Sequence, residues 1–326
     1  VLDGPGQLLR RNALLLAALA PAPVLAQAEP VTPSSVVAAS APGEWVEIAP
    51  DELLVMELAP DADGAPREVV IQLLPPPFSQ SWVGNIRTLA RAHWWDGTSV
   101  YRVVDNWVAQ WGAGEDEQGK AVPLTEGLNI VPESEYVVET LTQTDWCGDQ
   151  ACPKPDLTVG DRPINSPYAE KEGFNSGWPL AANDTTIWPT HCYASVGVAR
   201  DLSPDTGTGA ELYAAIGHAP RQLDRNIAVV GRVIEGIEHL ATLKRGTGDA
   251  GVYETEAEHT SIISVRLASE LPDAQGPRFE YLASDSENFN RYVAGRANRS
   301  DEFYIQPAGG VDICNVQVPI RRIAAD

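Results

Sequence analysis

The sequence lacks the motifs that mark several large classes of enzyme. Its 326 residues contain no G-x-S-x-G turn, no phosphate-binding glycine loop and no H-E-x-x-H pair. These patterns position a nucleophilic serine, a nucleotide phosphate and a zinc ion, so the corresponding chemistries are disfavoured. Histidine is scarce and scattered, and we predict structural or surface positions for all five residues: His93, His191, His218, His239 and His259.

Basic side chains are also few, and no apolar run is long enough to cross a bilayer. Lys and Arg number 23 against 45 Asp and Glu, which gives a formal net charge of -22. Such a chain repels phosphate backbones, so nucleic acid is a poor candidate partner. Apolar residues make up 44% of the chain, enough for a packed core. We therefore predict a globular monomer that does not span a membrane.

The first residues have the pattern of a secretory signal peptide. Arg10 and Arg11 precede an apolar run over residues 13–20, and P-A-P-V-L-A-Q-A follows at residues 21–28. A basic start, a short apolar segment and small residues of the A-x-A kind are typical of such signals. The Pro-Ala-Pro break disfavours the alternative, a buried helix. Residues 1–28 are thus predicted to direct export to the periplasm or elsewhere outside the cytoplasm.

Export would place the four cysteines in an oxidising compartment, and four cysteines allow three pairings. Cys147 and Cys152 flank a short glycine-containing turn, so a local bridge between them is expected. That bridge would leave Cys192 to pair with Cys314. A metal site is the alternative, since His191 precedes Cys192, but no second ligand pair has zinc-type spacing. Disulfides are the preferred interpretation.

Many short strands and only two helices are predicted, which is typical of a mainly β fold with a closed barrel and helices at its ends. The strand candidates are residues 45–48, 53–58, 68–74, 98–104, 107–111, 135–141, 192–199, 211–216, 227–233, 261–267 and 316–320. The helix candidates are residues 82–92, with Ser79 or Ser81 as the cap, and residues 234–245. The remaining segments are a leader with N-terminal strands (29–64), a polar insertion (113–191) and a C-terminal extension (268–326).

Two blocks of sequence carry a set of motifs in a fixed order. The first contains W-W-D-G-T-S-V-Y-R-V-V at residues 94–104 and N-W-V-A-Q-W-G at residues 106–112. The second contains V-G-V-A-R at 196–200, G-A-E-L-Y-A-A-I at 209–216 and Q-L-D-R-N-I-A-V-V-G-R-V-I-E-G-I at 222–237. Together they resemble the cyclophilin family of peptidyl-prolyl cis-trans isomerases, over residues 65–267 apart from the insertion. The resemblance implies a cyclophilin-like barrel that binds proline-containing polypeptides.

The resemblance implies a role for each matching residue. Arg102 stands at the position of the catalytic arginine, and Gln110 matches an active-site glutamine. The positions matched to the substrate groove are Trp107, Val108, Ala199, Arg200, Glu211, Tyr213 and Leu223. Without the flanking motifs, Arg102 would be interpreted as a surface ion-pair partner, and the apolar residues as ordinary core.

Physical chemistry supports an arginine in this role. An X-Pro bond rotates over a barrier of about 18–20 kcal/mol because the amide C–N bond is partly double. In the twisted state the prolyl nitrogen becomes pyramidal and gains a lone pair. A guanidinium, charged at any working pH, can donate to that lone pair and so favours the twisted state over the planar one. An apolar pocket would seat the proline ring, and no nucleophile, metal or cofactor is required.

Several positions depart from the family pattern. Glu211 stands where glutamine is frequent, and its carboxylate is expected near Arg102, where pairing would either weaken catalysis or orient the guanidinium. Gln222 replaces a frequent tryptophan, Ile227 a histidine and Val230 a pocket phenylalanine. Two functions follow, beside a more distant third alternative, a purely structural envelope protein that has lost the groove. One is an isomerase of exported proteins, and the other is a proline-peptide binding or chaperone module with weak or no catalysis.

Overall fold

The computed structural model describes residues 32–114, 122–139, 167–272, 276–299 and 301–324. The predicted signal peptide at residues 1–28 and the predicted bridge between Cys147 and Cys152 lie outside these ranges. Both blocks of motifs fall inside them. Within the described ranges, no helix combines the length and the apolar character needed to cross a membrane.

Short strands dominate the structure. In chain order they are β1 (Trp45–Glu47), β2 (Leu53–Leu58), β3 (Arg67–Leu73), β4 (Ser99–Val103), β5 (Val108–Gly112), β6 (Val138–Glu139), β7 (Lys171–Asn175), β8 (Trp178–Ala182), β9 (Thr186–Pro189), β10 (Ser195–Val198), β11 (Leu212–Ala215), β12 (Val229–Glu235), β13 (Thr260–Leu267), β14 (Phe279–Leu282) and β15 (Ile320–Arg322). The α-helices are α1 (Pro33–Ala38), α2 (Gln80–Arg91), α3 (Glu238–Ala241) and α4 (Glu287–Ala297).

Eight of these strands close into an antiparallel barrel, in the order β10-β11-β5-β4-β13-β2-β3-β12. Alternation along each strand decides which side chains fill it. On β5, Ala109 and Trp111 are buried in the main core, so Val108 and Gln110 lie on the outer face. The closed barrel predicted from the sequence is confirmed, and its outer face at β4, β5 and β11 carries Arg102, Gln110 and Tyr213 of the motif blocks.

The predicted helix over residues 82–92 is present as α2, which buries Trp82, Ile86 and Leu89 against the barrel core. The helix begins two residues earlier than predicted. Ser79 precedes it but forms no side-chain cap, because its backbone lies in the left-handed region with φ of 55°. The other predicted cap, Ser81, lies inside the helix, so the prediction that one of these two serines caps it through its hydroxyl is wrong.

The second predicted helix, residues 234–245, is largely replaced by other structure. Strand β12 continues to Glu235, which pairs with Val70 on β3, and Gly236 then turns the chain with φ of 82°. Only the four residues of α3 remain helical. Pairing with a central barrel strand thus overrides the helical apolar pattern of this segment.

The insertion contains a small sheet of its own, in the order β6-β9-β8-β7. The sequence predicts one strand there, over residues 135–141, whereas the structure has the two-residue strand β6 and three strands that were not predicted. Pro179 lies in β8 and Pro189 ends β9, and proline is disfavoured in strands because it has no N–H to donate to a neighbour. Trp178, Leu180 and Ile187 pack against Leu74 and Phe78 and attach this sheet to the barrel.

The segments on either side of the barrel domain pack together. Strands β1, β14 and β15 form a three-stranded sheet, and Val36 of α1 shares a core cluster with Phe289 and Val293 of α4. Helix α4 was not predicted. The predicted strand at residues 316–320 is displaced, since Val316 follows a 3-10 turn and β15 begins only at Ile320.

A disulfide joins the barrel to the C-terminal extension. Cys192, just before β10, is bonded to Cys314, with 5.0 Å between the two Cα atoms. This pairing is the one predicted from the sequence, and it removes the Cys192 thiolate from the alternative metal site. Among the described residues, no group of His, Cys, Asp and Glu has the arrangement of a metal site.

Candidate active site

Arg102 and Gln110 face each other across β4 and β5. They are paired in the strand register, and Nη1 of Arg102 donates to Oε1 of Gln110 over 2.8 Å. The register shifts between Val100 and Arg102, so Tyr101 is an extra residue on β4. Bulges of this kind redirect side chains, and here Tyr101 and Arg102 both reach Gln110 although they are neighbours in sequence.

A chain of hydrogen bonds connects Arg102 to the carboxylate of Glu211. Nε2 of Gln110 donates to the hydroxyl of Tyr101 over 2.5 Å, and that hydroxyl donates to Oε2 of Glu211 over 2.8 Å. An ionised carboxylate can only accept, so the phenol must donate to it. The phenol oxygen then accepts from the amide of Gln110, and the amide oxygen is left to face the guanidinium of Arg102.

Glu211 is held by the backbone as well as by Tyr101. The N–H of Gly114 donates to Oε1 of Glu211 over 3.0 Å. Burial raises the pKa of Glu211 above its ordinary value, although the hydrogen bonds from Tyr101 and the backbone oppose this. The expectation of a direct pair with Arg102 is wrong: within the described residues, the carboxylate bonds to Tyr101 and Gly114, and Tyr101 and Gln110 stand between the two charges.

The other edge of the Arg102 guanidinium is tied to a loop. Nε donates to the carbonyl oxygen of Ala250 over 2.7 Å, and the backbone of Arg102 forms an isolated antiparallel bridge with Val252. Two of the three guanidinium nitrogens are therefore committed. Nη2 donates to no acceptor in the described part of the chain, and the half-buried position of Arg102 leaves it open to a ligand.

Three strands bring Arg102, Gln110 and Tyr213 into one row. Gln110 is paired with Arg102 on β4 and with Tyr213 on β11. Paired side chains share a face of the sheet, so all three lie on the outer face of the barrel. Val108, two residues before Gln110, lies on the same face and is buried. The structure thus unites four of the predicted site residues.

The remaining predicted groove residues lie on strand ends and turns. Trp107 immediately precedes β5, and Leu223 ends the turn Arg221–Leu223; both side chains are half-buried. Ala199 follows β10 and donates its N–H to the carbonyl of Glu211 over 2.9 Å. The guanidinium of Arg200 donates to the carbonyls of Asn226 and Asp201. For these four residues, the groove roles implied by the resemblance remain predictions.

A second chain of polar side chains lies behind Tyr213, and sequence reasoning missed it. Nε2 of His191 is 3.1 Å from the hydroxyl of Tyr213, and Nδ1 of His191 is 3.0 Å from Oδ1 of Asp224. Arg221 donates to Oδ2 of Asp224 and to Oε1 of Glu172, each over 2.7 Å. All five residues are buried. The chain connects the outer barrel face to β7 of the insertion.

Burial and neighbouring charges decide the protonation states of Asp224 and Tyr213 in this second set of hydrogen-bonded side chains. Burial raises the pKa of the Asp224 carboxyl, but the hydrogen bond from His191 and the charge of Arg221 outweigh it, so the net shift is downward. Burial raises the pKa of Tyr213 beyond its ordinary range. Asp224 is therefore ionised and Tyr213 neutral near neutral pH. Together these bonds anchor the turn that carries Leu223 and the ring of Tyr213.

Comparison with known proteins identifies this arrangement. Residues 71–267, more than half of the chain, match the family described as cyclophilin type peptidyl-prolyl cis-trans isomerase/CLD. The fold is similar to the crystal structure of cyclophilin AquaCyp293 from Hirschia baltica, with a TM-score of 0.65 and 20% identity over 91% of this chain and 99% of that chain. Comparison with curated proteins gives no match. The barrel, the motif order and the family match establish that the chain belongs to the cyclophilin family and is a peptidyl-prolyl cis-trans isomerase.

Proposed function

We propose that this isomerase acts on X-Pro bonds of exported proteins and that Arg102 donates a hydrogen bond to the prolyl nitrogen in the twisted transition state. The planar amide nitrogen shares its lone pair with the carbonyl, whereas the twisted nitrogen presents it. A donor that meets this nitrogen only in the twisted geometry stabilises the transition state more than the ground state. That difference is the condition for catalysis.

The single observation that carries the proposal is the way Arg102 is held. Its Nη1 and Nε donate to Gln110 and to Ala250, over 2.8 Å and 2.7 Å, while Nη2 is uncommitted within the described residues. A guanidinium fixed along two edges loses little further freedom when it meets the substrate. Such preorganised donors are among the most effective electrostatic catalysts because they need no reorganisation during reaction.

Apolar side chains lie next to this donor and would form a binding surface for the proline ring. Val108 and Tyr213 lie on the same outer face as Gln110, and half-buried Trp107 immediately precedes Val108 in the chain. A ring seated here would displace water from Arg102. Because a hydrogen bond is stronger in a site of low dielectric constant, exclusion of water would strengthen the donation to the prolyl nitrogen.

Two observations support export. The bond between Cys192 and Cys314 is of a kind that persists in oxidising compartments. The basic and apolar pattern at residues 1–28 is that of a signal peptide. We therefore propose a periplasmic or otherwise exported location, where the clients are newly exported polypeptides whose folding waits on proline isomerisation.

The second candidate function is a proline-peptide binding or chaperone module with weak catalysis. Gln222, which stands where tryptophan is frequent, is exposed, and Ile227 is half-buried where histidine is frequent. Neither residue supplies the aromatic ring that is frequent at its position in the family, which favours weaker contacts with a proline peptide there. Val230 does not bear on this question, because its side chain is fully buried in the barrel core rather than in the groove as expected.

One assay separates the two functions. Purified protein should accelerate cis-to-trans isomerisation of an X-Pro peptide, and Arg102→Ala should lower kcat/KM by about a hundredfold, the typical effect of losing one preorganised donor. The matched control is Arg91→Ala, which removes an exposed arginine of α2 and should leave the rate unchanged. An unchanged rate in Arg102→Ala would refute the role of Arg102. A wild type that binds the peptide without catalysis would select the second function.

A further inference from the structure

A second cavity, separate from the groove, lies between the barrel and the C-terminal extension. Its volume is about 700 Å³, and its walls come from α1, β8, β12, α4 and the segment around the Cys192–Cys314 bond. None of the candidate active-site residues named above lines it. Cavities of about 300–1,000 Å³ are the size that proteins use for small organic ligands.

The charge of this cavity is opposite to that of the whole chain. The chain carries 45 acidic side chains and a net charge of -22. Yet among the described residues that line the cavity there is no aspartate or glutamate. The charged side chains in its walls are all arginines: Arg232, Arg296, Arg299 and Arg321. A positive concave surface on a strongly acidic protein favours an anionic occupant.

Arg232 on β12 is half-buried and has no carboxylate partner in the described structure. Nε and Nη2 donate to the side-chain oxygen of Gln72, and Nη1 donates to the carbonyl of Gly177 over 2.7 Å. The guanidinium also stacks on the ring of Trp178, 4.2 Å from its centroid. Burial lowers the pKa of Arg232 to about 9, since the charge has lost water without gaining an anion. A guanidinium has five N–H donors, so two remain for a ligand.

Arg296 on α4 provides a second cation, whose side chain is exposed. It donates only to the carbonyl of Asn315 among the described residues. The other two arginines differ, because Arg299 pairs with Asp301 and Arg321 pairs with Glu280. Arg232 and Arg296 are thus the two lining cations that have no counter-ion among the described residues.

The rest of the cavity wall is apolar and aromatic. It includes the side chains of Val37, Trp45, Trp178, Tyr292, Val316 and Ile320. The indole N–H groups of Trp45 and Trp178 have no hydrogen-bond partner in the described structure. An inorganic anion would leave these walls in contact with water, whereas an apolar body would cover them.

We infer that the cavity binds a small amphipathic anion, whose carboxylate is attracted by the charges of Arg232 and Arg296 and whose elongated apolar body covers the apolar wall between α1, α4 and the barrel. The lining carries two cations without counter-ions, no acidic group and an apolar wall, and these three properties together match that class. This site is independent of the isomerase mechanism, because it shares no residue with the groove.

The test is titration calorimetry of the full protein with decanoate, with its neutral amide decanamide and with decyltrimethylammonium, all below micelle-forming concentrations. We expect one equivalent of decanoate to bind, at least tenfold tighter than decanamide, the effect of one charge-assisted hydrogen bond. The cation should not bind. Equal affinity for decanoate and decanamide, or no binding of decanoate, would overturn the proposal.

Two variants locate the anion. Arg296→Gln should weaken decanoate binding about tenfold and leave decanamide unchanged. Arg291→Gln is the matched control, since Arg291 lies on the same helix but bonds to the side chain of Asn288 and does not line the cavity. Arg232→Gln should abolish the preference for the anion, and its isomerase rate would show that it is folded. Unaltered decanoate affinity in Arg296→Gln would also contradict the assignment.

Discussion

The hydroxyl of Tyr101 lies 2.8 Å from the carboxylate of Glu211, and this contact sets the direction of the hydrogen bonds that lead to Arg102. A carboxylate accepts, so Tyr101 donates to it, Gln110 donates to Tyr101, and Arg102 donates to Gln110. Glu211 therefore orients the guanidinium without touching it. Of the two outcomes expected for Glu211, weaker catalysis or an oriented guanidinium, these hydrogen bonds favour the second.

Replacement of Glu211 by glutamine tests this positioning role. An amide can donate as well as accept, so Glu211→Gln no longer forces Tyr101 to donate toward residue 211. We expect kcat to fall about three- to tenfold, the difference between a charge-assisted and a neutral hydrogen bond, with little change in KM. Tyr101→Phe should have a similar effect, and the double variant should be no worse than either. Additive losses in the double variant would show that the two residues act separately.

The same relationship predicts a pH dependence. The pKa of Glu211 is raised by burial above its ordinary value of 4.5. Above the raised pKa the carboxylate is ionised and accepts from Tyr101. As the pH falls through this pKa, the carboxyl of Glu211 gains a proton and becomes able to donate. It then no longer sets the direction of the hydrogen bonds that lead to Arg102. Activity should therefore fall on acidification with a midpoint above 4.5, and this decline should be absent in Glu211→Gln. An identical acid limb in both proteins would contradict the argument.

Gly197 on β10 is required by the position of the Tyr213 ring. The two residues are paired in the strand register, and a Cβ at position 197 would lie 2.3 Å from the Tyr213 hydroxyl. His191 holds that hydroxyl from behind, so the ring must shift if Gly197 acquires a side chain. We expect Gly197→Ala to raise KM for a proline peptide and to lower the free energy of unfolding by about 1–3 kcal/mol, as overpacking does. Gly43→Ala is the control, since nothing lies within 4 Å of its Cβ; equal effects of the two changes would refute the packing argument.

The sequence contains enough to predict the barrel and the row of Arg102 and Gln110. Motif order defines the strands, and alternation along β5 decides that Gln110 lies on the opposite face from Ala109 and Trp111. What could not be predicted is the bulge at Tyr101, because one extra residue in a strand leaves no mark on an alternating pattern. Without the bulge, neither the contact between Tyr101 and Gln110 nor the link to Glu211 can be foreseen.

The second polar chain escaped prediction for a different reason. His191, Asp224, Arg221 and Glu172 are separated by up to 52 positions in sequence, and each charged residue alone is most simply read as a surface group. Only the sheet of the insertion brings Glu172 to Arg221, and three of its four strands were not predicted. Ion pairs between residues far apart in sequence produce no local pattern, so they cannot be predicted from periodicity.

Asp224 is expected to contribute strongly to stability at neutral pH. It is the shared acceptor of His191 and Arg221 in a buried setting, and loss of one partner of a buried pair costs about 3–5 kcal/mol. Asp224→Asn should therefore lower the free energy of unfolding at pH 7 by that order, measured by urea denaturation. The pKa of Asp224 is depressed, so its contribution is complete above its ordinary value of 3.8 and is lost as the pH falls through the lowered value. The difference between wild type and variant should shrink in acid; a difference that grows would contradict the ionised state.

The bond between Cys192 and Cys314 should be a major stabilising element of the extension. It closes a loop with a sequence separation of 122 residues, and loops of about this length are stabilised by roughly 4–5 kcal/mol in the chain-entropy treatment of cross-links. We expect a variant with Cys192→Ser and Cys314→Ser to unfold at a lower urea concentration. Its free energy of unfolding should be smaller than that of the wild type by an amount of that order. A reducing agent should destabilise the wild type by more than it destabilises this variant, which lacks the 192–314 bond.

The remaining cysteines provide the control and test the proposed export at the same time. Cys147→Ser with Cys152→Ser would remove a cross-link that closes only a short loop. It should therefore change the free energy of unfolding less than loss of the 192–314 bond does. Peptide mapping of protein purified from the periplasm, without reductant, should recover Cys192 linked to Cys314, as the structure has it. Because disulfides persist where the compartment is oxidising, recovery of free thiols at both positions would contradict the proposed location as well as the stabilising role of the bond.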